Sequence, residues 1–154
     1  MSDKSEFRAR AEAIIRRYYE GCNEADVEKM RSCFAPEATH YFPAGAPQGP
    51  FVGADAIAAG WRHAVETMGS SWVIERLAID EAARVAVLEW THYRTAQGAY
   101  LRGDEWFEFD ESGLICEIRA YYTAPPHGDP RSYELGGFPY SDRGYSMSPP
   151  RLRR

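Results

Sequence analysis

Apolar positions recur at helical spacing early in the chain and at alternate positions later. From Asp3 onward, Phe7, Ala11, Ile14, Ile15, Tyr18 and Cys22 fall on one stripe, which predicts a first helix with Tyr18 on its buried side. Asn23 to Asp26 breaks the pattern. Asp26 then caps a short second helix, with Val27, Met30, Cys33 and Phe34 facing inward and Pro36 ending it. Glu37 to Phe42 alternates as a short strand that places His40 and Phe42 on one face. Pro43, Gly45, Pro47, Gly49 and Pro50 predict a loop. A third helix opens at Gly53-Ala54-Asp55 and carries Ile57, Trp61, Ala64, Val65 and Met68 on its apolar stripe. His63 lies about 200° around from Trp61, at 100° per residue, and faces outward. Gly69-Ser70 stops this helix.

The remainder alternates with period two. Strands are expected over Ser71 to Ile79, Arg84 to Thr95, Tyr100 to Asp110 and Leu114 to Thr123, with turns close enough to make them antiparallel neighbours. Three helices with one short strand among them, followed by a meander of four, predict an α+β fold with the helices on one face of a curved, mostly antiparallel sheet. The domain is expected to span residues 1–123. Residues 124–154 differ: they are rich in Pro and Gly and hold the aromatics Tyr133, Phe138, Tyr140 and Tyr145. Such a tail does not form long regular structure, and its aromatics suit wrapping over the sheet, a partner subunit or a pocket mouth.

One position breaks the pattern of the third long strand. Leu101, Gly103, Glu105, Phe107 and Phe109 share a face that is apolar apart from Glu105. A carboxylate on a buried face needs a partner, a proton or a chemical role. The opposite face, with Arg102, Asp104, Trp106, Glu108 and Asp110, is charged and suits solvent.

Composition narrows the function classes. A chain of 154 residues, 44% hydrophobic and 14% aromatic, supports one well-filled domain. Its net charge of −5 argues against nucleic-acid binding. No apolar run reaches membrane-spanning length, and the polar start Met-Ser-Asp-Lys-Ser-Glu lacks a signal-peptide pattern, which predicts a cytoplasmic chain. Cys22, Cys33 and Cys116 have no metal-ligand spacing and are expected as small core residues. The four His form no H-E-x-x-H, and no Gly-rich loop precedes a helix, so no metal and no nucleotide cofactor are implied.

Several local stretches, in this order, resemble one family. Arg17-Tyr18, Asn23-Glu24-Ala25-Asp26 and Phe34-Ala35-Pro36-Glu37-Ala38-Thr39 look like its opening; Gly53-Ala54-Asp55-Ala56-Ile57 looks like its third helix. Phe107-Glu108-Phe109-Asp110, Gly113-Leu114-Ile115 and Ile118-Arg119-Ala120-Tyr121-Tyr122 look like its closing hairpin. The family is that of nuclear transport factor 2, ketosteroid isomerase and the SnoaL-like polyketide cyclases, and the similarity runs from about Ile15 to Tyr122. It implies a cone-shaped, cystatin-like α+β barrel, small cofactor-free pocket enzymes and, often, homodimers that pair through the outer face of the sheet, here the face of Trp106, Glu108 and Arg102.

Against ketosteroid isomerase, Tyr18 matches the tyrosine of the oxyanion hole, and Glu105 matches its second donor, a carboxylic acid kept neutral so that it can donate to an oxyanion. Phe42 stands where the general base belongs, so a base must come from elsewhere. His40, two residues earlier on the same face, and His92, on the face of Leu88 and Trp90, are the candidates. Against limonene epoxide hydrolase, Trp90, His92 and Ala120 replace the acidic and basic residues that activate water. The resemblance therefore implies that Tyr18 and Glu105 stabilise an enolate of an apolar or aromatic ketone-like substrate. Phe42, Trp61, Trp90, Phe107, Ala120 and Tyr122 would line the pocket, and the outcome would be isomerisation, dehydration or cyclisation. The alternative within the same fold is a noncatalytic ligand-binding or dimerisation module, with Glu105 paired to Arg94 or Arg119 and Tyr18 in the core.

Overall fold

The computed structural model describes residues 3–43, 46, 48–122 and 138–152. Helix α1 (Asp3–Glu24) is followed by α2 (Val27–Arg31), where Asp26 accepts from the Lys29 N–H at 2.9 Å as an N-cap. Strands β1 (Phe34–Tyr41) and β2 (Phe51–Val52) precede α3 (Ala54–Met68). Four long strands then run as a meander: β3 (Ser70–Asp80), β4 (Val85–Arg94), β5 (Ala99–Phe109) and β6 (Ile115–Tyr121). Helix α3 ends at Gly69, which sits at φ 63°, where a left-handed cap favours glycine.

The six strands form one sheet in the order β2-β1-β6-β5-β4-β3. Every pairing is antiparallel except β1 with β6, which is parallel. The last strand is thus inserted between the first and the fifth. The sheet curves around the helices without closing, so the expected barrel is an open cone. Two details also differ from the sequence expectation. The first strand begins at Phe34, three residues before the expected start, because its pairing with β6 begins at Phe34 opposite Ile115. The short β2 lies in what reads as loop and helix start; it pairs Thr39 with Val52 and His40 with Phe51. Two residues are too few for a visible alternation.

The core lies between the helices and the concave face of the sheet. Ile15, Tyr18, Met30, Cys33, Ile57, Leu88, Leu101, Phe107, Ile115 and Ile118 are almost completely buried there. Cys22 is buried too, whereas Cys116 is only half-buried. Asn23 fastens α1 to β3 by accepting from the Trp72 N–H at 2.7 Å and donating to the Trp72 carbonyl at 2.9 Å. This fixes the C-terminal half of α1, with Tyr18 and Tyr19, against the wide end of the sheet.

On the convex face, Arg102 is buried rather than solvated. A bulge in β3 between Ile74 and Arg76 re-aims Glu75, whose carboxylate lies 3.3 Å from the Arg102 guanidinium. Residues 138–152 cover this pair. Arg102 donates to the Ser146 carbonyl at 3.0 Å and lies over the Tyr140 ring at 4.3 Å, while Tyr145 donates to Glu89 at 2.6 Å. Residues 124–137 and 153–154 of the expected tail lie outside the described residues.

Candidate functional site

At the wide end of the cone the small residues Gly60, Ala64 and Ala120 leave space that aromatic rings enclose. The result is a cavity of about 180 Å³. Helix α1 contributes Tyr18, Tyr19 and Cys22, and α3 contributes Trp61, Ala64 and Met68. The sheet contributes Trp72 from β3, Trp90, His92 and Arg94 from β4, Leu101 and Glu105 from β5, and Ala120 from β6. Phe42, Gln48, Phe51 and Tyr122 close one side, and the exposed His63 stands at the rim.

The walls are built edge to face. Trp61 meets Trp72 at 5.3 Å and 73°, Phe42 meets Trp61 at 5.7 Å and 69°, and Trp90 meets Tyr122 at 5.6 Å and 67°. Such arrangements place ring edges on ring faces and hold the rings upright. Gly103, opposite Trp90 in the sheet, makes one wall possible. A Cβ there would come within 2.7 Å of the Trp90 ring and 2.8 Å of the Tyr122 Cβ.

Glu105 is the acid of the cavity. It is 5% exposed and sits between Leu88 and Ala120 in the sheet. Tyr19 donates its hydroxyl to Glu105 Oε1. His40 Nε2 lies 3.5 Å from Glu105 Oε2. Among the described residues no arginine pairs with Glu105: Arg119 pairs with Glu108 and Glu117.

Three neighbouring groups, Tyr18, Tyr19 and His92, are held neutral. Burial first, then the neighbouring Cys22 and Glu105, raises the Tyr18 phenol well above the ordinary tyrosine value. Tyr19 is raised for the same first reason and then by Glu105. His92 is pushed well below the ordinary imidazole value by burial and then by the Arg94 charge. Its ring stacks on Trp72 at 4.5 Å, and its Nε2 is 2.8 Å from Ser70 Oγ.

Of the residues singled out in the sequence, Tyr18, Glu105, His92, Phe42, Trp61, Trp90, Ala120 and Tyr122 meet around this cavity. Two do not. Phe107 is completely buried between Ala86 and Ile118, toward the packed end of the sheet, because the cavity reaches only as far down β5 as Glu105. His40 is 1% exposed and stacks on Phe42 at 4.4 Å, so Phe42 rather than His40 faces the cavity. Tyr19 and Trp72 are cavity residues that the sequence pattern does not single out, and Arg94, expected there only as a partner of Glu105, lines the cavity without pairing with it among the described residues. Tyr19 has a signal, since it lies four residues after Ile15 and three before Cys22 on the same helix face.

The chain thus folds as an open α+β cone with an aromatic cavity and one buried acid between helices and sheet. The chain belongs to the SnoaL-like domain family, whose profile matches residues 15–118. A solved protein of unknown function with a cystatin-like fold, from Methylobium petroleophilum, is 53% identical, with a TM-score of 0.74 over 96% of this chain and 97% of that one. A candidate polyketide cyclase from Sinorhizobium meliloti is 16% identical, with a TM-score of 0.60 over 71% of this chain and 94% of that one. A Mycobacterium tuberculosis protein, solved in complex with estradiol-17β-hemisuccinate, is 15% identical, with a TM-score of 0.64 over 74% of this chain and 94% of that one. The latter two likenesses concern the fold. No curated protein matches the chain.

Proposed function

We propose that this protein catalyses proton transfer next to the carbonyl of an apolar or aromatic small molecule, through an enolate and without a cofactor. The carrying observation is Glu105, a buried acid at the wall of an aromatic cavity with Tyr19 on one oxygen and His40 beside the other. The resemblance to ketosteroid isomerase makes Glu105 a neutral donor and a histidine the base, whereas the resemblance to the SnoaL-like cyclases allows Glu105 itself to be the acid–base carboxylate. The geometry favours a different division of labour. A hydroxyl that donates to Glu105 suits an ionised, accepting carboxylate. His92 is a weak base in its surroundings, and His40 is screened by Phe42.

In this scheme Glu105 takes the proton from the carbon next to the carbonyl. The C–H electron pair becomes the C=C bond of the enolate, and the carbonyl oxygen gains the charge. Tyr18, kept protonated by its burial, donates to that oxygen; one such preplaced donor contributes about 3 kcal/mol to the transition state. Tyr19 is the positioning residue for the carboxylate. Return of the proton to a different carbon gives isomerisation, expulsion of a β-hydroxyl gives dehydration, and attack of the enolate on a second carbonyl gives cyclisation. The polyketide-cyclase and steroid-complexed neighbours support a carbocyclic, largely apolar substrate.

The test is exchange of the α-protons of 2-tetralone in D2O, followed by proton NMR. Wild-type protein is expected to accelerate exchange, Glu105→Gln to slow it about 10²–10⁴-fold, and Tyr18→Phe to slow it about 10²-fold. Quenching of the cavity tryptophans by the same ketone measures occupancy separately. Occupancy without accelerated exchange would instead identify a binding module.

A further inference from the structure

Arg94 is the group that the proton-transfer scheme leaves unused. It ends β4, lines the cavity and is half-buried. Its Nε is fully buried and has no hydrogen-bond partner among the described residues. A guanidinium is a cation with only donors to offer. Among the described lining residues the one acid is Glu105, and its hydrogen-bond donor is Tyr19, not Arg94. Elsewhere in the protein Arg102, which is buried, meets Glu75, and the half-buried Arg119 meets Glu108 and Glu117.

An unmatched cation donor at a cavity wall is costly unless something supplies an anion. The neighbouring lining adds no anion. His92 beside it is neutral, Leu101 and Met68 are apolar, and His63 at the rim is another nitrogen group. Trp61 Nε1 and Trp90 Nε1 are two further buried donors in the same lining without an acceptor among the described residues. The cavity therefore presents aromatic walls, a proton-transfer acid and, apart from that acid, an excess of N–H donors.

We propose that the ligand carries a carboxylate on its apolar or aromatic body, and that Arg94 receives it. This deepens the proposed function by naming the substrate class as a keto acid, and it rests on the same cavity. A planar guanidinium binds a carboxylate through two parallel N–H donors, which fixes the direction of the ligand as well as its charge. With the carboxylate on Arg94, the rest of the molecule extends along the tryptophans toward Tyr18 and Glu105.

The probes are 4-oxo-4-phenylbutanoate and its uncharged carboxamide, which share the aryl ketone and differ in the anion. Binding is measured by calorimetry for wild type, Arg94→Met and Arg94→Lys. Wild type is expected to bind the acid at least tenfold more tightly than the amide, with the difference shrinking as salt rises. Arg94→Met is expected to bring the two affinities within about twofold by weakening the acid alone, and Arg94→Lys to restore part of the preference. Thermal unfolding supplies the second readout. If Arg94 serves a ligand rather than the fold, Arg94→Met melts no lower than wild type. Equal binding of acid and amide by wild type, binding of neither, or an undiminished preference in Arg94→Met would overturn the proposal. So would a lower melting temperature with equal weakening of both compounds. The acid-to-amide ratio is an equilibrium quantity, so it fails or stands independently of α-proton exchange.

Discussion

Tyr19 and Glu105 form a buried pair in which one partner depends on the other. Tyr19→Phe leaves Glu105 Oε1 without its described donor, and it is expected to cost about 1–3 kcal/mol of stability, measured by urea unfolding. A second residue-scale effect comes from His92. The unfolded chain takes up a proton near pH 6.5, while buried folded His92 resists it. Stability carried by His92 is therefore full above that pH and lost as the pH falls below it. His92→Gln is expected to flatten the acid limb of unfolding free energy against pH. At the other end, Tyr18 and Tyr19 are held protonated above the ordinary phenol range. Their contribution is present below about pH 10 and declines above it, as the unfolded phenols ionise. At this scale the sequence exposes what is odd but not what meets it. Glu105 stands out because alternation is a local property of β5. Its partner Tyr19 is 86 positions away, and the pairing depends on how α1 is rotated over the sheet.

Elements determine how much of the cavity is open. Strand β5 holds Gly103 opposite Trp90, and this missing side chain leaves room for the Trp90 ring to meet Tyr122 edge to face. Gly103→Ala is expected to displace one of these rings and cost about 1–3 kcal/mol, with weaker quenching of tryptophan fluorescence by 2-tetralone as the readout. Element types are legible because the periods of α1, α3 and the four long strands are clean over many positions. Strand β2 is not, since two residues carry no period. The burial of Arg102 is not legible either, because the segment covering it is distant in sequence and irregular. Phe107 illustrates the limit of face assignments. It shares the inner face with Glu105, but alternation says nothing about how far along a strand a cavity extends.

For the whole molecule, residues 138–152 act as a cover on the convex face, and none of them lines the cavity. Ending the chain after residue 137 is expected to lower the melting temperature while leaving cavity ligand affinity within about twofold. Arg102→Met in the full chain is expected to be harsher, about 3–5 kcal/mol, because Glu75 stays buried without its cation. The cover also limits the expected pairing of two copies. It occupies the region around Arg102 and leaves the end near Trp106, 38% exposed, for a second subunit; sedimentation at micromolar concentration reads whether that end is used. The insertion of β6 between β1 and β5 has its own consequence during synthesis. A nascent chain can make its helices and its β3–β5 meander early, yet the two halves of the sheet cannot be joined until residues 115–121 have left the ribosome. Until then β1 and β5 present open edges able to pair with a neighbouring chain. A nascent chain that has emerged from the ribosome only as far as Leu114 therefore holds every strand but the joining one, with both of these edges open.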